Sequence, residues 1–310
     1  MLPENQNKLL GHSSLFNEIA SFYLKDNLPN KILLSGKKGI GKTVFAYHLI
    51  NYILSIDEAD KYDIKNNIIS RDNRSYKLTI NNCHPNFYKI RKKDEKKNIE
   101  IAQIRGLNNF INKSSFDNKL KIILIEDAEL LSINASNSLL KLIEEPNKKV
   151  QFILVSDSSK KILDTIKSRC INFRVNLNEK YFSNIIKNYI DHDIFDNINK
   201  DFKNNYFSPL NYINLIEICE DLDIDIKSID IETLVKNILI NYLNHKKKIN
   251  IIDFKIYLEI YFLKLVKKKR NVSSYYLSNY FNKKYADIEK YNLDLEPFLI
   301  ELNSKVLNEK

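Results

Sequence analysis

Residues 33–50, LLSGKKGIGKTVFAYHLI, decide the fold. A short apolar run, KILLS at 31–35, ends at Gly36. The residues Gly36, Lys37, Lys38, Gly39, Ile40, Gly41, Lys42 and Thr43 then match G-x-x-x-x-G-K-[ST] at every required position. Glycines let successive backbone N–H groups turn inward around phosphate oxygens, where side chains would clash. The N-terminus of the following helix adds a favourable dipole. Lys42 can reach the β- and γ-phosphates, and the Thr43 hydroxyl can ligate Mg²⁺. Val44, Phe45, Tyr47, Leu49, Tyr52 and Ile53 give that helix apolar positions to pack on a sheet. The expected ligand is ATP or ADP with Mg²⁺.

Around this loop, strand-like and helix-like segments alternate. NFYKI (86–90), KIILI (121–125), QFILV (151–155) and INF (171–173) are further strand candidates. Ile99, Ile101, Ile104, Leu107, Phe110 and Ile111 recur at helical spacing. Asn134 is expected to cap a helix carrying Leu139, Leu140, Leu142 and Ile143, which Pro146 ends. Residues 55–82 are polar and are expected to form an irregular insertion. The alternation predicts a parallel α/β sheet with helices on both faces. Beyond about Asn176 the periodic patterns imply helices alone. Interruptions at DHD (191–193), SP (208–209) and HKKKIN (245–250) place domain boundaries near 177 and 230.

The chain has 310 residues, enough for two or three domains with cores of their own. It holds no run of eighteen apolar residues and no signal-peptide pattern, so neither a membrane span nor a membrane partner is expected. Three widely spaced cysteines, Cys83, Cys170 and Cys219, suggest a reduced, cytoplasmic compartment. The net charge of +10 permits a polyanion partner. Asn, Lys and Ile are over-used throughout, however, so the charge can equally reflect composition.

KIILIEDAELL (121–131) ends a strand in acids, the Walker B arrangement, in which the first acid helps hold Mg²⁺ and the second polarises the attacking water. A hydrolytic AAA+ motor places Asp before Glu, whereas here Glu126 precedes Asp127. Asp127 is one methylene shorter than the usual base, and a displacement of about 1 Å can cost on the order of a hundredfold in rate. Glu126 joins Thr43 as a candidate Mg²⁺ ligand, and Asp127 is a weak candidate base.

Together, LLGHSSLFNEI, LPNKILLSGKKGIGKT, HPNFYKI, KIILIEDAELLSINASNSLLKLIEEP and ILDTIKSRC, in that order, resemble the bacterial clamp-loader family, its delta-prime subunits of DNA polymerase III above all. The resemblance covers residues 8–175 and extends more weakly through FSPLNYI (207–213). It implies an AAA+ domain over 1–177, a helical lid over 178–229 and, by position only, a helical collar over 230–310. It also implies gamma/tau and delta subunits, a sliding clamp and, indirectly, primed DNA as partners. In this family Ser-Arg-Cys supplies an arginine finger to the neighbouring subunit; here it is Ser168-Arg169-Cys170, and Asp164 stands where the family commonly has Pro. A permanently charged planar fork suits a γ-phosphate. Glu144 and Glu145 lie at a helix C-terminus, where negative charge is disfavoured, so either a basic partner on a neighbouring subunit or plain solvation is expected.

Two departures separate the chain from the family's motor subunits. Those carry four zinc-ligating cysteines before the HP segment; only Cys83 lies in that interval, and with His84 it cannot make a tetrahedral site, so no zinc is expected. The lid's sensor arginine is also missing, and Asn211 and Tyr212 stand near its place. Ser156 is a candidate first sensor. A nucleotide-binding subunit with weak or absent hydrolysis is the leading expectation. A self-sufficient motor ATPase, a small-molecule P-loop kinase and a plain DNA-binding protein using KKK (246–248) and KKKR (267–270) remain the alternatives.

Overall fold

The computed structural model describes residues 2–113, 119–144, 149–189, 192–203, 207–245, 254–291 and 293–307. Pro146, Glu145 and the lysines at 246–248 lie outside the described residues. Two compact units are present, Met1–Ile185 and Ile186–Lys310.

The first unit is built on five strands: β1 (Lys31–Gly36), β2 (Phe87–Ile90), β3 (Lys121–Ile125), β4 (Val150–Asp157) and β5 (Ile171–Arg174). They lie in the order β2-β3-β4-β1-β5, every neighbouring pair parallel. Successive residues alternate between the two faces. Ile32, Leu34, Ile122 and Leu124 join a core with α1 (Ser13–Leu24) and α2 (Lys42–Leu54). Leu33, Ile123 and Ile125 join a second core with α4 (Ile101–Asn112) and α5 (Ile133–Glu144). Because both faces are covered, the central strands β1, β3 and β4 are largely apolar, as the sequence predicts, whereas the edge strand β5 is mostly exposed.

Two expectations about local structure change. Residues 55–82 hold a helix, α3 (Arg74–Ile80), and much of the segment packs inward: Tyr62, Ile69, Asn73 and Ser75 are buried. Seven residues are too short for a helical apolar pattern to stand out. The helix is instead fixed by polar bonds, with the Asn73 side chain accepting from the Tyr76 N–H and Glu58 accepting from the Asn73 and Ser75 side chains. At α5, Asn134 lies inside the first turn, and Ser132 Oγ accepts from the Ala135 N–H. Serine and asparagine are comparable caps, so sequence alone misplaced the start by two residues.

A short helix, α6 (Asp164–Lys167), precedes β5, and α7 (Glu179–Tyr189) spans the division between units. In the second unit α8 (His192–Asn197), α9 (Pro209–Asp221), α10 (Ile231–His245), α11 (Phe254–Lys269), α12 (Val272–Tyr291) and α13 (Glu296–Leu302) follow. The core is aromatic: Phe262 stacks on Phe281 at 5.8 Å, and Phe298 meets the Phe281 ring edge-on. Lys264 pairs with both Asp201 and Asp230, at 2.7 and 2.8 Å, tying α11 to the chain before α9 and before α10. None of the described helices is long and apolar enough to cross a membrane.

Candidate functional site

The phosphate-loop residues lie at the carboxyl ends of the strands, where parallel sheets place their ligands. β1 runs into Gly36, whose backbone pairs with Asp157 at the end of β4. A Cβ at Gly36 would stand 2.4 Å from the Val175 carbonyl, so only glycine lets β1 and the exit from β5 approach this closely. Gly39 and Gly41 have φ of 80° and 90°, a left-handed backbone that L side chains resist. Together they shape an open cradle of N–H groups before α2.

His12 braces the cradle from behind. Its buried ring donates through Nε2 to the Ile40 carbonyl at 2.7 Å and also bonds the Asn176 backbone. Burial lowers the imidazole pKa more than the two backbone bonds raise it. In the sequence this role is marked only by an isolated histidine before a helix.

Lys42 is 7% exposed, and its Nζ donates to the Lys37 carbonyl at 2.5 Å. Burial lowers its pKa; the charges of Asp157, Glu129 and Asp127 oppose that shift, and Lys38 adds to it. Thr43 is the one residue of α2 that is not buried, so its hydroxyl remains available beside the loop. Loop, ammonium and hydroxyl thus fit a magnesium nucleotide. Among the described residues no group of three or more His, Cys, Asp or Glu could hold a metal ion by itself. Mg²⁺ here would take most of its ligands from phosphate and water, its usual preference.

The acidic pair divides. Following the alternation of Ile122 and Leu124, Glu126 turns toward α2, where the Tyr47 hydroxyl donates to it at 2.8 Å. Burial raises its pKa, the Tyr47 bond and Lys89 opposing. Lys89 in turn pairs with the buried Glu4 at 3.3 Å. Asp127 is exposed and sits in the left-handed region at φ 49°, a conformation Asp tolerates better than most residues. The turn it begins carries Glu129, which accepts from the Asp157 N–H at 3.1 Å and whose pKa burial raises. The acids acting on Lys42 are therefore Asp157, Glu129 and Asp127, while Glu126 is engaged by Tyr47. Glu129 and Asp157 were not singled out in the sequence; the position of Asp157 just after Ser156 was the only available cue. Ser156 itself is buried near the end of β4, in register with Ser35.

Arg169 lies elsewhere. Ile171, two residues on, pairs with Ile32 near the start of β1, whereas the phosphate loop follows Gly36 at its end. The four residue steps from Ile32 to Gly36 span about 13 Å of strand. The guanidinium is held within its own chain: Nε and Nη2 donate to Glu144 Oε1 at 2.7 and 2.6 Å, and Nη1 donates to the Thr165 carbonyl at 3.0 Å. A basic partner for Glu144 thus comes from this same chain rather than from a neighbour, because the loop before β5 returns beside the end of α5. Cys170 is buried, and burial pushes its thiol up to about 11, so it acts as an apolar anchor.

The remaining candidates have structural partners. His84 Nδ1 accepts from the Asn86 N–H, its Nε2 lies 3.3 Å from Ser75 Oγ, and burial pushes its pKa down to about 4. Cys83 is exposed. Ser208 and Asn211 form a reciprocal cap on α9, and the Tyr212 hydroxyl donates to the Phe202 carbonyl. Lys267, Lys268, Lys269 and Arg270 are exposed at and just beyond the end of α11.

Residues 11–179 match the family model described as DNA polymerase III, delta subunit. DNA polymerase III subunit delta' of Pseudomonas aeruginosa is 31% identical over 139 residues, which is 45% of this chain and 40% of the relative. The subunit of the same name in Bacillus subtilis is 31% identical over 156 residues, 50% of this chain and 44% of the relative. The chain therefore spans less than half the length of these two relatives. Among solved structures, a DNA polymerase III gamma subunit-related protein from Thermotoga maritima aligns over 95% of this chain and 97% of its own, with a TM-score of 0.50 at 16% identity. That likeness is one of fold, the AAA+ P-loop fold with a helical C-terminal region.

Proposed function

The chain belongs to the DNA polymerase III delta-subunit family, and from that premise we propose that it is a delta-prime clamp-loader subunit that binds nucleotide and donates Arg169 to a neighbouring subunit. Its partners would be the gamma/tau and delta subunits, with the sliding clamp and, through the complex, primed DNA. The observation that carries the proposal is the position of Arg169. It lies toward the amino ends of the strands, while Lys42 lies at their carboxyl ends, with about 13 Å of β1 between the paired levels. An arginine there is remote from its own phosphate loop and is exposed enough to meet another molecule.

Weak hydrolysis at the chain's own site is supported by the acids. Glu126, the Mg²⁺ candidate, is occupied by Tyr47, and Asp127 is short for a base. A motor-like ATPase is the second reading, favoured by Glu129 and Asp157 acting on Lys42. ATP turnover by the isolated chain, abolished by Glu129→Gln, would establish that reading instead.

The decisive test is Arg169→Ala in the reconstituted complex. Assembly and nucleotide affinity at Lys42 should persist, while clamp-stimulated ATP hydrolysis and clamp loading fall. Fingers supplied in trans are worth about 10³–10⁵ in rate in switch GTPases, but only one of several sites loses its finger here, so the total falls far less. Arg169→Lys should rescue poorly, because a point charge cannot reproduce the fork. Wild-type loading by both variants in a confirmed assembly would end the trans role.

A further inference from the structure

We propose that Glu144 is a positioning residue that holds the Arg169 guanidinium aimed for a phosphate bound outside this chain; this rests on the trans role of Arg169 argued above. An arginine in a surface turn ordinarily samples many rotamers, and a finger that must find one geometry at each turnover loses rate. Here the backbone and the side chain are both restrained. Ile166 and Cys170 are buried in the core beneath α5, so the turn between them is pinned at both sides of Arg169. The Arg169 N–H also donates to the Ile166 carbonyl at 3.1 Å.

The side chain is then fixed by a fork. Nε and Nη2 converge on one oxygen of Glu144, and Nη1 takes the Thr165 carbonyl. A guanidinium carries five N–H donors in a rigid plane. Three are used, and the others, on Nη1 and Nη2, remain to receive phosphate oxygens. The arginine side chain is 40% exposed and the glutamate 53%, so the pair stands at the surface and not in the core. Glu144 has no local reason to be acidic. It ends α5, where the helix dipole disfavours negative charge, and among the contacts described its carboxylate is taken up by Arg169.

A surface ion pair of this kind contributes little to stability. Its effect would appear in rate, through geometry, because a displaced catalytic group loses far more rate than binding. Gln at 144 keeps an acceptor oxygen in the same place without the charge, so orientation and electrostatics can be separated.

The experiment uses the reconstituted clamp loader carrying Glu144→Ala, Glu144→Gln, Arg169→Ala or the double Ala variant, with kcat and KM for ATP measured in the presence of clamp and primed DNA. Glu144→Ala should lower kcat about threefold, less than Arg169→Ala does, with KM unchanged. Glu144→Gln should restore most of that loss. In the Arg169→Ala background, Glu144→Ala should have no further effect, since a residue acting through another is silent once the other is gone. If Arg169→Ala lowers kcat but Glu144→Ala does not, the positioning role is overturned and the finger stands. A Glu144→Ala loss that adds in full to that of Arg169→Ala also overturns it, because Glu144 then acts on something else. If Arg169→Ala itself is without effect in the assembled complex, the trans role falls and the positioning role falls with it.

Discussion

Lys42, at the start of α2, and Arg169, in the turn before β5, are both cations at strand ends of one sheet, yet they are held in opposite ways. Lys42 is inside: its ammonium touches a backbone carbonyl, and three acids act on it without a contact pair. Arg169 is at the surface and in direct contact with one carboxylate. An interior cation is set by what burial costs it, and it serves a ligand that comes into the same fold. A surface cation is set by one good geometric partner and can serve a ligand that stays outside. On the reading proposed above, the fold's interior would set stability and its pH dependence, and the surface cation would act on rate.

The sharpest break would come from Lys42→Ala. Binding of a fluorescent ATP analogue should weaken by at least about a hundredfold, because the charge-assisted phosphate contact expected of a buried lysine is lost. Unchanged affinity would remove the interior cation from the ligand site altogether.

The pH dependence of stability should belong to the interior. His48 on α2 is fully buried, bonded to the Tyr62 hydroxyl and the Gln6 carbonyl, and burial pushes its pKa down to about 4 from an ordinary 6.5. Between those values the unfolded chain binds a proton that the native chain refuses. Stability is therefore full above about pH 6.5 and falls as the pH is lowered toward 4. His48 alone should account for about 2 kcal/mol of the loss between pH 7.5 and 5 by urea unfolding, and His48→Gln should remove that share while leaving the part that the lowered His12 and His84 contribute. The raised carboxyls of Glu126 and Glu129 act in the opposite sense, but equally in both proteins, so they cancel in the comparison.

Gly36→Ala forces a Cβ against the Val175 carbonyl and should cost about 1–3 kcal/mol while weakening nucleotide binding. Thermal unfolding with and without ATP separates the two effects. Tyr47→Phe leaves the half-buried Glu126 carboxylate without its Tyr47 donor, at a cost of about 1 kcal/mol near neutral pH. That cost should shrink as Glu126 protonates on acidification. The smallest change is expected from Arg169→Ala, within about 0.5 kcal/mol of wild type in the same unfolding assay. A loss as large as that of Gly36→Ala would mean that the surface turn is structural, and the contrast between the two cations would fail.

Much of the first unit was legible because its signals are local. The apolar runs at β1, β3 and β4 stand between polar segments, and a strand buried on both faces needs no alternation to be seen. The phosphate loop is contiguous, so its pattern survives in one dimension. α3 escaped notice because it is short and held by Glu58 and Asn73 rather than by an apolar face. Glu129 and Asp157 escaped because they belong to different segments, 28 residues apart, and meet only once β3 and β4 pair. Glu126 was recognised as an acid at a strand end, but its direction follows from strand alternation and from Tyr47 on a different element.

The sequence by itself determined that a phosphate-loop pattern follows a strand, that a parallel sheet underlies it, and that Arg169 sits in a Ser-Arg-Cys turn. Those facts depend on residue type and spacing along the chain. Only the tertiary structure decided which acids act on Lys42, that Glu144 takes its basic partner from its own chain, and that Arg169 stands about 13 Å of strand away from the level of the loop. Each of those is a distance between segments brought together by packing, and charge, unlike backbone conformation, takes its meaning from what packing places beside it.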